Sequence, residues 1–448
     1  MKHFQYKDGM LRCEGVKAST LAEDFGSPLY VYSKAALVDA YKEVKSAFSE
    51  VPTTVCFSVK SCGSLAVLKT LREAGSGFDI VSGGELFRAL KAGADPRKVV
   101  YAGVGKTDAE IKAALEQDIL MFNVESEGEL DVIQEIAAGM GKVAPVAFRI
   151  NPDVDANTHA KTTTGKKENK FGIDLANASR LVNNIAEQPN IRLLGVDMHL
   201  GSPIYDIAPY KLAMEKISEF VRSHRSPRAP LEFINAGGGY GLLYRDQRVP
   251  SFREYAEVIT PYVKATGCRL IVEPGRSIVG NAAVLLTRVV FTKDNGHKHF
   301  TIVDAGMNDL VRPAMYDSYH FAWPAAYSDV PPANLFGSDN AENYFFREEE
   351  EGKTGHWLRN IDEAGFIRTD IVGPICESSD CFAKGRRIPV MHRGDLLAIF
   401  SAGAYGFSMA SNYNARPLPA EVMVDGGTAR LIRTRQSYED LVSGELFE

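Results

Sequence analysis

"TTVCFSVKSCGSLAVLKTLREAGSGFDIVSGGELFRALKAG", residues 53–93, reads as strand, helix, strand, helix. Val55, Cys56, Phe57 and Val59 form an apolar run of strand length. Leu65, Leu68 and Leu71 then recur at helical spacing, and Gly75 stands where a helix C-terminal cap belongs. Phe78, Ile80 and Val81 repeat the strand, GGELFRALKAG repeats the helix, and Gly93 closes it. Lys60 sits where the first strand stops. A lysine there is either a snorkelling surface charge or a chemical tool.

The same rhythm continues outward. Further strand-like runs are VVYAG (99–103), LMFNVES (120–126), VAPVAFRIN (143–151), LLGVDMHLG (193–201), LEFINAGGG (231–239) and RLIVEPG (269–275), with helical patterns such as DAEIKAALEQ between them. About eight β/α units in roughly 220 residues predict a closed (β/α)8 barrel of TIM type. The alternative is an open doubly wound sheet, which would carry its Gly-rich turn after the first strand rather than near the last two. In a barrel, chemistry gathers at the C-terminal strand ends. Those ends carry Lys60, Asp79, Arg149, His199, Gly237–Gly239 and Glu273, which is many polar groups for buried strands. The flanks differ. PLYVYS lies in residues 1–35, and after about residue 280 the runs AAVLLTRVVFT, HFTIVDAG, TDIVGPIC, DLLAIFSAGAYG and AEVMVDGGTARLIR are β-rich with Gly-containing turns. The stretch 323–366, with its Arg347–Glu351 charge run, reads as a solvated insertion or peripheral helix.

Bulk properties narrow the function. The 448 residues suffice for two or three domains, and 45% hydrophobic with 24% charged residues is an ordinary globular balance. A net charge of −6 recruits neither nucleic acid nor an anionic membrane surface. No window has the length of a spanning helix, and MKHFQYKDGM lacks the apolar core of a signal peptide. Six cysteines form no CxxC pair, so reduced thiols in a cytoplasmic enzyme are expected. The nine histidines show no HExxH, and no metal is expected; His297 and His299 read as a solvated strand face.

The strand-end residues point to one cofactor. Gly237–Gly239 and Gly241 free backbone N–H groups to converge on an anion, and late barrel loops often bind phosphate. Glu273, ending the eighth strand before Pro274-Gly275-Arg276, either pairs with Arg276 or faces a protonated ring nitrogen. His199 is either a satisfied core histidine or a flat ring that stacks on a cofactor. A phosphate site, a carboxylate for a ring nitrogen, a stackable imidazole and Lys60 together match pyridoxal 5'-phosphate, whose carbonyl a lysine amine holds.

With these pieces in place, the chain resembles the fold-type III pyridoxal-phosphate-dependent decarboxylases along nearly its whole length. The motifs are SVKS at Lys60, GFDIVSGGEL (77–86), RINPDVD (149–155), KENKFGI (167–173), HLGS (199–202), GGGYG (237–241), EPGR (273–276), DAGMNDLVRPAMY (304–316), GPICES (373–378) and SAGAYGFSMASNYNARPLPAEV (401–422). The resemblance implies an alanine-racemase-type barrel over residues 36–279. It also implies one β-sandwich or β-barrel domain, built from residues 1–35 and 280–448, that contributes to the active site and a dimer interface. Lys60 is implied as the Schiff-base lysine and His199 as the stacking ring. Ser202, Gly237, Gly238, Gly239, Gly275 and Arg276 are implied as phosphate holders, Glu273 as the ring-nitrogen partner, and Asp79, Arg149 and Tyr405 as further cofactor contacts. Arg276, Arg312, Tyr316 and Tyr405 would bind substrate. Cys376, as proton donor, and Glu377, for the distal amine, would reach the neighbouring subunit's site in a homodimer. The implied reaction is decarboxylation of meso-2,6-diaminopimelate to L-lysine. An ornithine, lysine or arginine decarboxylase and a same-fold racemase are the alternatives, and Glu273 argues against the racemase. The chain departs from the family pattern at Ser61-Cys62, at Pro203 and in the long 323–366 stretch.

Overall fold

In the computed structural model, residues 2–155, 170–244, 247–327 and 365–446 are described. Most of the 323–366 stretch, and residues 167–169 at the start of KENKFGI, lie outside these residues. The chain divides into two compact units, Val38–Leu242 with Val249–Ile278, and Met1–Leu37 with Leu243–Arg248 and Val279–Glu448.

The first unit is the barrel. Its strands are β1 (Thr53–Ser58), β2 (Gly77–Ile80), β3 (Val99–Tyr101), β4 (Met121–Val124), β5 (Ala144–Asn151), β6 (Ile191–Asp197), β7 (Phe233–Asn235) and β8 (Arg269–Val272). Neighbours pair in parallel around the whole circuit. β8 pairs with β1, and β4 with β5, so among these eight strands no edge is left open. The open-sheet alternative is thereby excluded.

The helices between the strands start where the sequence offers caps. Ser82 accepts from the Glu85 N–H, Ser126 from Glu129, and Thr107 and Ser251 form capping boxes with Glu110 and Glu254. Gly75 ends the helix Leu65–Ala74 in the left-handed region, at φ 105°, where a side chain would be strained. Cys56, Val100, Met121, Ala147, Leu194, Phe233 and Ile271 pack into one apolar cluster contributed by seven of the strands. Toward the C-terminal ends the strands turn polar: Ser58, Asp79, Asn123, Arg149, Asp197 and Asn235 are all buried there, with Glu273 just beyond β8. Burying this many polar groups is costly unless they satisfy one another or a ligand.

The second unit is sheet-rich. Strands Cys381–Pro389, Phe366–Val372, His299–Val303, Ala283–Asp294, Leu29–Ser33, Ala420–Asp425 and Thr428–Arg433 lie side by side in that order, and Leu396–Ile399 joins Ala283–Asp294 to Ala322–Pro324. The N-terminal strand Leu29–Ser33 is thus enclosed, antiparallel to Ala283–Leu286 and parallel to Ala420–Val424. Every residue from Leu29 to Ser33 is buried, which explains why LYVY is a continuous run of large residues rather than an alternating one.

Candidate active site

Strand β1 ends at Ser58, and a single 3-10 turn, Val59–Ser61, carries Lys60 before the next helix. The Ser61 hydroxyl donates to the Ser58 carbonyl at 2.7 Å, which fixes that turn. Lys60 Nζ lies 3.0 Å from Asp79 Oδ2, and the Ser58 hydroxyl donates to the same oxygen at 2.7 Å. Asp79 is fully buried, and among the described residues its Oδ1 has no hydrogen-bond partner.

Glu273 follows β8. The Asn235 and Asn123 amides both donate to its Oε1, at 2.5 and 3.4 Å, which leaves Oε2 for a further donor. Burial, with the carboxylates of Asp79 and Asp197 nearby, pushes Glu273 well above the usual carboxylate range. Lys60 and the Asn235 amide pull the other way, and a further cation brought close would add to that pull. Asp197, the last residue of β6, is pushed up to about 7, chiefly by burial and against the pull of Arg149. Arg149 is a buried guanidinium. Glu125 Oε1 accepts from its Nη1 at 2.7 Å, and Asp197 Oδ2 is 3.8 Å from its Nε. Glu125 also accepts from the Gly103 and Gly172 N–H groups, so one carboxylate ties Arg149 to two rim loops.

The glycine run needs its glycines. Gly237 and Gly239 have φ of 67° and 96°, and a Cβ on Gly238 would collide with the Glu273 carbonyl. The Gly238 N–H donates to His199 Nδ1 at 3.2 Å, which puts the imidazole proton on Nε2. Burial, then the charges of Lys60 and Arg149, hold the His199 pKa well below its ordinary value, so the ring is neutral. Arg276 Nε donates to the Ser202 hydroxyl at 3.2 Å. A Cβ on Gly275 would come within 2.9 Å of Ser58 Cβ, so only glycine lets this turn lie against the Lys60 turn.

The sheet-rich unit holds the remaining sequence-predicted residues in two groups. The buried Arg312 guanidinium lies over the rings of Tyr316 and Tyr405, at 4.9 and 5.2 Å from their centroids. Cys376 is exposed, and its N–H donates to Asn414 Oδ1 at 2.8 Å. Hydrogen bonds from Ser379 and then Tyr413 hold Glu377 below the usual carboxylate range. Asp380 pins this turn by accepting from the N–H groups of Ile375 and Met307, each at 2.7 Å.

Lys60, Asp79, Arg149, His199, Ser202, Gly237–Gly239, Glu273, Gly275 and Arg276 are therefore gathered by the barrel. Arg312, Tyr316 and Tyr405 form one cluster in the second unit, and Cys376 and Glu377 share one turn there. Ser58, Asn123, Glu125, Asp197 and Asn235 escape a reading of the sequence alone. The available signal is a polar residue closing a short apolar strand, as in "LEFIN" (231–235) and "LLGVD" (193–197). Among the described residues no group of His, Cys, Asp or Glu is arranged to hold a metal ion, and no helix is long and apolar enough to cross a membrane.

Comparison with known proteins agrees with this geometry. The family described as "Pyridoxal-dependent decarboxylase, pyridoxal binding domain" matches residues 34–280. A diaminopimelate decarboxylase of Neisseria meningitidis serogroup A is 45% identical over 436 residues, which is 97% of this chain and 99% of that protein. The crystal structure of diaminopimelate decarboxylase from Helicobacter pylori complexed with L-lysine superimposes with a TM-score of 0.84 at 35% identity, over 95% of this chain and 98% of that one. The enzyme from M. jannaschii in co-complex with L-lysine does so with a TM-score of 0.87 at 35% identity, over 99% and 98%.

Proposed function

The chain belongs to the pyridoxal-dependent decarboxylases, within the diaminopimelate decarboxylase family, and from that premise we propose that it converts meso-2,6-diaminopimelate to L-lysine and CO2, the last step of lysine biosynthesis. The similarity over 97% of the chain carries this reading.

The barrel residues fit pyridoxal 5'-phosphate. Lys60 supplies an amine, Glu273 Oε2 is an uncommitted carboxylate oxygen in a place that favours a cationic partner, and His199 is a neutral flat ring. Ser202 and Arg276 are hydroxyl and guanidinium donors suited to a phosphate, and the Gly237–Gly239 loop would add a backbone N–H. Lys60 would hold the carbonyl, Glu273 the ring nitrogen and His199 a ring face, with Asp79, Arg149, Gly275 and Tyr405 as further contacts. Bound there, the cofactor supplies the electron sink that makes loss of an α-carboxylate possible.

The protein's own part is selection and proton delivery. Arg312, backed by Tyr316 and Tyr405, is a buried guanidinium suited to a substrate carboxylate. Arg276 is assigned to the same task. Glu377, kept ionised by its hydrogen bonds, suits the distal ammonium of the substrate. Cys376 Sγ holds the proton that replaces the departing carboxylate. A substrate lacking the distal carboxylate would forgo its ion pair with this guanidinium, a loss of several kcal/mol by analogy with other buried polar sites.

The assignment extends to a homodimer in which Cys376 and Glu377 serve the neighbouring subunit's site. The barrel of residues 36–279 would bind the cofactor, and the β domain of residues 1–35 and 280–448 would contribute to the site and the dimer interface. Six free thiols suit a reducing, cytoplasmic setting. The deciding experiment measures CO2 release from meso-diaminopimelate, ornithine, lysine and arginine in parallel, with pyridoxal phosphate present. Turnover of diaminopimelate alone is expected. Turnover of ornithine without diaminopimelate would overturn the reading.

A further inference from the structure

Three amides line the glycine loop, and two are already committed. The Gly237 N–H donates to Asn235 Oδ1 at 3.0 Å and the Gly238 N–H to His199 Nδ1 at 3.2 Å. Among the described residues the Gly239 N–H donates to no protein acceptor. The peptide that carries it is nevertheless held in place. Tyr210, from the helix Ala208–His224, donates its hydroxyl to the Gly238 carbonyl at 2.5 Å, and the Gly239 carbonyl accepts from the Ile204 N–H at 2.8 Å. A Cβ on Gly239 would come within 3.3 Å of that hydroxyl and collide with the Gly201 carbonyl.

A trans peptide directs its N–H opposite to its C=O. Anchoring the Gly238 carbonyl therefore fixes the direction of the Gly239 N–H, away from Tyr210. Resting on the cofactor reading above, we propose that Tyr210 is a positioning residue for the phosphate loop, holding the Gly238–Gly239 peptide so that the Gly239 N–H stays aimed at an anion. The ring is locked for this task. It stacks on Tyr240 at 6.0 Å and 5°, and meets Tyr255 edge-on at 5.5 Å and 77°. Burial raises the Tyr210 phenol well above its ordinary pKa, so it remains a donor. Tyr240 provides an internal control, because its buried hydroxyl has no hydrogen-bond partner among the described residues.

The test compares Tyr210→Phe and Tyr240→Phe with the unmodified apoprotein, each first checked for a native fold and a cooperative melting transition. Pyridoxal phosphate and pyridoxal, which lacks the phosphate, are titrated by absorbance and tryptophan fluorescence. If the Gly239 N–H loses its aim, the hydrogen bond forfeited to the phosphate, about 1–1.5 kcal/mol, predicts a roughly 5- to 13-fold rise in the Kd for pyridoxal phosphate in Tyr210→Phe. The Kd for pyridoxal should not change, and Tyr240→Phe should match wild type. An unchanged pyridoxal phosphate Kd in Tyr210→Phe overturns the proposal. So does an equal rise for both ligands, or an equal effect of Tyr240→Phe. If Tyr210→Phe does not keep a native fold, Tyr210→Met, which is smaller and carries no hydroxyl, must weaken pyridoxal phosphate more than pyridoxal; equal weakening overturns the proposal. Wild type that binds neither ligand would instead sink the cofactor reading on which the proposal rests.

Discussion

Lys60 Nζ and Asp79 Oδ2 are 3.0 Å apart, one on the turn after β1 and the other in β2. The carboxylate is buried and shared with the Ser58 hydroxyl, so it holds the amine at the strand end. A lysine held in this way is suited to retain a carbonyl cofactor covalently. Borohydride reduction of the protein loaded with pyridoxal phosphate should therefore place the label on the peptide containing Lys60. Lys60→Ala should take up no label and lose decarboxylation by roughly 10^3 or more. A label retained in that variant would move the cofactor to another amine.

Much of this was legible in the sequence, for identifiable reasons. Parallel barrel strands are covered on both faces, so "TTVCFSV" and "RLIVEPG" read as continuous apolar runs, and Gly75 marks the turn between units. Lys60 and Glu273 were conspicuous because charge seldom closes an apolar strand. Asn123 and Asn235 were not, because a neutral amide at a strand end looks like the start of a turn. Their importance depends on converging on Glu273 from strands that are 150 and 38 residues away in sequence. Glu125 was hidden among the surface-like acids of "ESEGEL", and only the pairing of β4 with β5 brings Arg149 to it. Pairing of Leu29–Ser33 with strands some 250 and 390 residues later was likewise beyond any local pattern.

Glu125 is the common acceptor for Arg149 and for the amides of Gly103 and Gly172. Truncation to alanine leaves a buried guanidinium facing Asp197 alone and two amides without their acceptor. Glu125→Ala should lower the unfolding free energy of the apoprotein by about 3–5 kcal/mol in urea. Arg149→Met in the same background should recover part of that loss. A variant as stable as wild type would mean that Arg149 finds another anion.

Asp197 has a folded pKa of about 7, against about 4 for an unfolded aspartate. Between these values the folded chain keeps a proton that the unfolded chain has released. The stability tied to this group is therefore fully present below about pH 4 and is lost as pH rises to about 7. Asp197→Asn cannot ionise and escapes that loss. Scanning fluorimetry of the apoproteins from pH 5 to 8 should show the wild-type melting temperature falling relative to the variant. Parallel curves would mean that Arg149 keeps Asp197 ionised throughout.

Cys376 is exposed in the single chain, and Glu377 lies beside it on a turn pinned by Asp380. An exposed thiol cannot serve as a protected proton donor unless something covers it, and a second copy of the chain would do so. If each site takes Lys60 from one subunit and Cys376 from the other, Lys60→Ala and Cys376→Ala should each be inactive alone. After subunit exchange in an equal mixture, half the dimers are mixed, and each mixed dimer has one site with both residues intact. The mixture should therefore recover about a quarter of wild-type activity. Absence of recovery, with exchange confirmed by mass-tagged subunits, would mean that Lys60 and Cys376 act within one chain; a Cys376→Ala variant active on its own would mean that Cys376 is not used.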